Sequence, residues 1–436
     1  MIKELKFDNI IKNNNKSIST RTRSKTNTNI TNDTYTFIDD TMDNIVTKHK
    51  IYMNVHHISI HDRMMKLPKL YMIPKMHKSP PKGRFIAASS SCTTKPLSDM
   101  ITKCLKLITL QHRKYCKQIY KYTGVNRMWI IDNSKNVLNR IHKFNLYNII
   151  KNINSYDFST LYTNIPHDDL KDKIKWVIDK SFYNDSKQYI FVNDYNATWK
   201  KRNNTHILDK DTLIKYVNYL IDNIYINVNN KIFRQTIGIP MGTNCAPFLA
   251  NLYLYVLEFQ FLAKLSKTDI VLARKFSNSY RYIDDLLMFN NDDLMNKYKY
   301  EIYPKELILN KENSNDQQCN FLDIKINIKN SLIVTSIYDK KDDFKFNINS
   351  FPNLSGNTHA LRTHGVIISQ LIRYSKVCLN VDDFIYRSRI MITKLLNQIF
   401  CSKELKRKFS HFYDKYYNLI QNYRYSKNKL INIIFP

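Results

Sequence analysis

Ser279-Tyr280-Arg281-Tyr282-Ile283-Asp284-Asp285-Leu286-Leu287-Met288-Phe289 sets two adjacent acids between two short apolar runs. That pattern predicts a tight hairpin with the acids at its tip. Side by side in a half-buried turn, two carboxylates repel each other and resist desolvation. One of them takes up a proton unless a cation sits nearby. Mg²⁺ is the natural candidate, a hard ion that binds through one or two carboxylates and leaves room for substrate phosphates. Asp-Asp is equally a common turn dipeptide, so a matching acid elsewhere has to separate the two explanations.

Such an acid lies upstream. Asn148 to Phe158 reads as a buried strand ending in Tyr156-Asp157-Phe158. It runs through Ser159-Thr160-Leu161-Tyr162-Thr163-Asn164-Ile165-Pro166 into a helix beginning near Asp168, with Leu170, Ile174, Val177, Ile178 and Phe182 on one face. An acid at a strand exit is where an active-site carboxylate belongs, although a lone one also serves as a cap. Further upstream, Lys69 to Ala87 reads as strand, Pro/Gly turn and strand, with Lys75, Lys78, Lys82 and Arg84 about the turn. A basic hairpin of this kind suits phosphate, and an exposed basic loop is the bland alternative. In Ile237-Gly238-Ile239-Pro240-Met241-Gly242, two of the chain's six glycines precede a long apolar helix. Glycine this scarce points to close backbone approach to a ligand, or to an ordinary strand-turn-helix junction. The helix, Ala246 to Ala263, is broken by Asn251, Glu258 and Gln260 and is expected in a core rather than a membrane.

At 436 residues the chain is long enough for two or three domains. Its 68 Lys and Arg against 37 Asp and Glu give a formal charge of +31, which points to a polyanion, nucleic acid first. Thirty Tyr and 22 Phe add flat faces for base stacking. A membrane surface would want a lipid signal or basic amphipathic anchor, and no lipidation motif stands at either end. Seven scattered cysteines without a C-x-x-C pair argue against a disulfide framework or Cys-type zinc site and fit a reducing, intracellular compartment. His56, His57, His61 and Asp62 match no zinc spacing and read as a solvated, partly helical stretch.

The order of these pieces resembles the reverse transcriptase family: a basic hairpin, D-F-S-x-L-Y, a P-x-G loop, Y-x-D-D, then a small F-L-D strand. Asp157 to Pro166 and Phe321-Leu322-Asp323-Ile324 look most like Penelope-like retroelement enzymes, relatives of telomerase. The resemblance covers residues 63 to 400. It implies an α+β right-hand polymerase fold with an antiparallel palm sheet, fingers and a helical thumb. The activity it implies is RNA-directed DNA synthesis, with Mg²⁺ (Mn²⁺ as substitute) held by Asp157, Phe158, Asp284 and Asp285. Asp157, Asp284 and Asp285 would be the catalytic acids. Lys82 and Arg84 match the triphosphate-binding fingers, Tyr162 the gate beneath the sugar, and Met241-Gly242 the loop over the template–nucleotide pair. Phe321 and Leu322 resemble the primer grip. The implied partners are an RNA template, a DNA primer, dNTPs and a separate endonuclease, since no G-I-Y…Y-I-G module or RNase H acid cluster is found. Two departures matter. Met241 stands where many relatives carry Gln, and the gap from Asp157 to Asp284 is 127 residues, which implies an insertion within 183–231.

The expected organisation is a basic, Asn-rich flexible arm (1–50), a fingers-like region (51–150), a palm (151–335) and a basic helical thumb and tail (336–436). The palm strands after the central hairpin include Glu306 to Lys311 and a separate hairpin from Ser331 to Tyr338. The tail 403–436 is expected to grip product duplex, so that its deletion would shorten products. For a retroelement enzyme the nucleus is the expected compartment, not secretion. A catalytically silent nucleic-acid-binding derivative and a telomerase-like polymerase are the alternative functions.

Overall fold

A computed structural model of the protein describes residues 34–76, 82–147, 149–183, 187–344, 346, 348–359 and 363–436. Most of the expected arm, Lys78 at the basic hairpin's tip and Asn148 lie outside the described residues. In chain order the strands are β1 (Tyr35–Ile38), β2 (Leu70–Lys75), β3 (Lys82–Ala87), β4 (Ile153–Phe158), β5 (Ile190–Val192), β6 (Ala197–Thr198), β7 (His206–Leu208) and β8 (Tyr225–Val228). There follow β9 (Lys231–Gln235), β10 (Ser279–Tyr282), β11 (Asp285–Phe289), β12 (Leu309–Lys311), β13 (Gln318–Phe321), β14 (Ile324–Lys329) and β15 (Leu332–Ile337). Chain and space do not run in step. One compact unit is drawn from Met1–Ile130, Phe158–Ser277 and Leu294–Asn310, the other from Ile131–Asp157, Asn278–Asp293 and Lys311–Pro436.

In the first unit β2 and β3 pair antiparallel with Pro74 opposite Gly83. A proline is tolerated there because both strands of a two-stranded ribbon are edges. β1 pairs with β9, and β9 with β8. Residues 34–50, expected as part of a flexible arm, are therefore β1 and the start of the helix Met42–Val55. The physical reason is a contact invisible in sequence: Phe37 lies opposite Phe233 with ring centroids 5.8 Å apart. The helices Lys95–Thr123, His167–Ser181 and Lys210–Asp222 belong to this unit together with Ala246–Thr268. Ala246–Thr268 is long and apolar enough to cross a membrane, yet Leu249, Leu252, Tyr253, Tyr255, Val256 and Leu262 are all buried. It is apolar all round because it is a core helix. The expected insertion holds a small sheet ordered β6–β5–β7, unforeseen because strands of two or three residues are too short to show alternation.

In the second unit β11 pairs antiparallel with both β10 and β4. β13, β14 and β15 form a meander. The hairpin expected within Ser331–Tyr338 is instead one strand of that meander. Asn330 and Ser331, both with positive φ (51° and 61°), turn β14 into β15, as a tight two-residue turn requires. Helix Lys135–Tyr147 is clamped to β15 by Asn145, whose Nδ2 donates to the Ile333 carbonyl (2.8 Å) and whose Oδ1 accepts from the Ile333 N–H (2.7 Å). One apolar core joins these strands to the helices Val366–Val377, Val381–Leu396, Ser402–Lys415 and Lys427–Ile434 through Leu371, Phe384, Leu395, Phe409, Phe412 and Leu430. The tail is thus no detachable appendage. Deleting 403–436 would strip buried aromatics from this core, at several kcal/mol each, so it cannot test duplex grip.

Candidate active site

β11 follows β10 through a two-residue turn, Ile283-Asp284, closed by the pair Tyr282↔Asp285. Ile283 sits at φ +55°. A β-branched residue there is an outlier held against its preference. What holds it is Arg281, wholly buried, whose Nη1 donates to the Ile283 carbonyl at 3.0 Å. A buried guanidinium is costly unless hydrogen-bonded, and this turn supplies an acceptor. On the neighbouring strand, Asp157 of β4 is the register partner of Asp285. The two strand acids and the turn acid are therefore neighbours by sheet register, although 127 residues separate Asp157 from Asp284.

The electrostatics follow from that register. Burial pushes the Asp285 carboxyl up to about 7, and neighbouring Asp284 pushes the same way; Lys340 opposes them, while Asp157 and Glu312 add to the rise. Glu312, Lys340 and Arg281 were not singled out in the sequence. Lys340 lies in the short helix Lys340–Asp343 and Glu312 just after β12, and no motif marks either. Arg281 stood in plain view within the decisive stretch, but a basic residue in a strand gives no sign of which way it faces.

Among the described residues no three or more His, Cys, Asp or Glu side chains stand together as a ready-made metal set. The donor chemistry nonetheless suits a hard divalent cation. Mg²⁺ needs only one or two carboxylates beside substrate phosphates, and mutually repelling acids that hold a proton near neutrality have the potential a cation would relieve. Phe158 offers only its backbone oxygen, since its ring is buried edge-on against Tyr303 at 4.9 Å.

The raised Asp285 value has a definite sign. The folded protein holds this proton more tightly than the unfolded chain does. Without a cation, stability therefore falls as pH rises from the ordinary carboxylate range to about 7, and this contribution is level above that. A divalent cation favours the deprotonated form. Mg²⁺ held beside Asp285 would raise Tm, and that rise is expected to grow from about pH 6 to about pH 8, followed by thermal unfolding at each pH. A shift independent of pH would remove Asp285 from the ion's surroundings.

The first unit gathers a second group of expected residues. Tyr162 lies in the single helical turn Leu161–Asn164, just beyond β4. Its carbonyl accepts from the Ile239 N–H at 2.8 Å, and the Gly238 N–H donates to Ile165 at 2.8 Å. Gly238 has φ +82°, and a Cβ there would lie 2.4 Å from the Tyr162 oxygen. The other end of the loop docks on β3. The Met241 carbonyl accepts from the Ala87 N–H at 2.8 Å, and a Cβ on Gly242 (φ +122°) would meet the Ala87 oxygen at 2.0 Å. Both glycines are thus demanded by backbone approach to other backbone.

Arg84 on β3 is exposed and lies opposite Ile73. The side chain of Lys82 lies outside the described residues. In the second unit Phe321, 2% exposed, is part of the core. Leu322 (φ +56°) makes the turn into β14, and the next residue, Asp323, pairs with Arg373 Nε at 3.1 Å.

No family model matches the chain, and no curated protein matches it by sequence. Solved structures do. Telomerase from Candida albicans in complex with a TWJ fragment of telomeric RNA is similar at TM-score 0.55 and 12% identity over 84% of this chain and 62% of that one. Apo telomerase from Candida tropicalis matches at 0.45 and 12% over 92% and 68%. The BmCPV RNA-dependent RNA polymerase at elongation state matches at 0.39 and 12% over 76% and 27%; neither of these two weighs in the assignment. The chain spans 62% of the Candida albicans telomerase chain, and what it shares with that protein is the fold.

Proposed function

We propose that the protein is an RNA-directed DNA polymerase of a retroelement, most similar to the Penelope-like enzymes, that extends a DNA primer on an RNA template from dNTPs. The observation that carries this reading is the register of Asp285 opposite Asp157 beside the Asp284 turn, in a chain with the fold of telomerase. In right-hand terms the fingers would span 51–150, the palm 151–335 and the thumb 336–436. Asp157, Asp284 and Asp285, with the Phe158 carbonyl, would hold Mg²⁺ or Mn²⁺. Bound there, a divalent pair would activate the primer hydroxyl and stabilise the leaving pyrophosphate.

The chain's own residues do the rest. The buried Arg281 fixes the Ile283 carbonyl, which keeps the Asp284 carboxyl from swinging with its turn. Arg84, exposed on β3, would neutralise triphosphate charge through its planar fork of donors. Tyr162 would stand where the incoming sugar passes, and the Met241-Gly242 loop, held to β3 through Ala87, would face the template–nucleotide pair. Catalysis of this type is mostly positioning and electrostatics. The test is direct: purified protein with poly(rA)/oligo(dT), dTTP and Mg²⁺ or Mn²⁺ is expected to lengthen the primer. Template binding without extension by the intact chain would instead identify a silent nucleic-acid-binding protein.

A further inference from the structure

The second unit carries a cavity of about 110 Å³ with a marked charge imbalance. Four cations line it (Lys341, Arg373, Arg387 and Lys394) against two carboxylates, Asp339 and Asp342. The lining residues are not equally committed. Arg387 is held by Asp342 and by the Ile337 carbonyl at 2.8 Å. Arg373 uses its Nε on Asp323, which leaves both terminal nitrogens of the fork for another acceptor. Lys341 Nζ donates to Ser350 Oγ at 3.1 Å, and Asp339 turns its carboxylate back onto the Lys341 N–H at 3.1 Å. Lys394 has no carboxylate partner among the described residues, and it is only part-exposed. A half-buried cation without an acid, as Lys394 is among the described residues, is costly alone and strongly favourable toward a desolvated anion. The volume is several times the ~10–15 Å³ that one water needs, and admits a tetrahedral oxyanion.

The position of the cavity narrows its ligand. The short helix Lys340–Asp343 sets Lys340 toward Asp285, while its neighbours Lys341 and Asp342 line the cavity. Arg373 is anchored by Asp323, at the tip of the β13–β14 turn. The cavity is therefore one residue along the chain from the carboxylate site on one wall and tied to the Leu322 turn on the other.

We propose that this cavity is a phosphate subsite in which the free fork of Arg373 and the ammonium of Lys394 grip one phosphate group. Resting on the polymerase reading, that group is a single phosphodiester of the strand being extended. A free inorganic phosphate shares the chemistry and is separated from it by experiment. The full chain is titrated with a primer–template duplex in which one primer linkage at a time is an uncharged methylphosphonate. Neutralising the gripped linkage is expected to weaken wild-type binding about tenfold, and its neighbours much less. Lys394→Gln should weaken binding of the unmodified duplex several-fold and lower the salt slope by about one. On the duplex neutral at the gripped linkage, Lys394→Gln should add nothing. Lys394→Arg should restore both. Because Lys394 has no partner to lose, these variants are expected to fold, which thermal unfolding checks.

Orthophosphate titrated without duplex, at matched ionic strength, is the second arm. A Lys394-dependent isotherm there, with a flat linkage profile, assigns the subsite to the free anion. If the Lys394→Gln penalty is the same on every duplex and orthophosphate does not bind, the subsite does not exist. Primer extension is scored separately. A Lys394-dependent linkage without extension keeps the subsite and removes the polymerase reading; extension with a flat profile and no phosphate binding does the reverse.

Discussion

Asp284→Asn is expected to lower primer extension by at least about a thousandfold, equivalent to about 4 kcal/mol of transition-state stabilisation, while template affinity stays within about twofold. Asp157→Asn should match it. The amide keeps the shape of the turn and of β4 but removes the charge that a divalent cation would need. The turn itself should survive, because the Ile283 carbonyl is held by Arg281 and not by either acid. Template affinity should persist because it comes from the basic surface, not from these acids. Asp285→Asn should be milder, because neighbouring residues on a hairpin face different ways. Relieving its repulsion should also raise Tm in the absence of divalent ions at pH above that value. Asp284→Asn with activity within a few-fold of the parent would place the reaction centre elsewhere. The readouts are single-turnover extension and duplex binding measured on the same preparations.

Tyr162→Ala is expected to raise use of rUTP relative to dTTP by on the order of tenfold to a hundredfold, about 1.4–2.7 kcal/mol of discrimination. A ring beneath the incoming sugar rejects a 2′-hydroxyl by overlap, so truncation should help the ribonucleotide and cost the deoxynucleotide much less. The structure makes this a clean experiment. The Tyr162 loop is anchored by backbone groups, its carbonyl to Ile239 and its neighbour Ile165 to Gly238, and an alanine keeps those groups. Tyr162 is part-buried rather than sealed in a core. A parallel loss of both activities with an unchanged ratio would make it a packing residue and remove the residue-level support for a DNA product.

The central hairpin, β4 and the helix after Asp168 were legible because each joins a long enough apolar pattern to a sharp break. β10 and β11 flank adjacent acids, and Leu170, Ile174, Val177 and Ile178 recur at helical spacing and are all buried. The basic hairpin was equally readable, since Pro and Gly punctuate it and β2 pairs with β3 in register. Short elements were not. β5, β6 and β7 have two or three residues each, and β1 gains its stability from β9, nearly two hundred residues away. Local pattern carries no information about such a partner.

The sequence by itself determined the charge, the acids and their order along the chain, because these are properties of residue types and spacing. It also determined that the glycines at 238 and 242 matter. Only the tertiary structure decided why they do: each meets a backbone carbonyl from a distant segment, at Tyr162 and at Ala87. Only the sheet register set Asp285 opposite Asp157, and only burial gave Arg281 and Asp285 their roles. The same holds for the C-terminal helices. The sequence read this region as basic and helical, but the tail's place in the core depends on which strands its helices cover. Register, burial and long-range contact are relations between segments, and a linear chain records them only when the segments are adjacent.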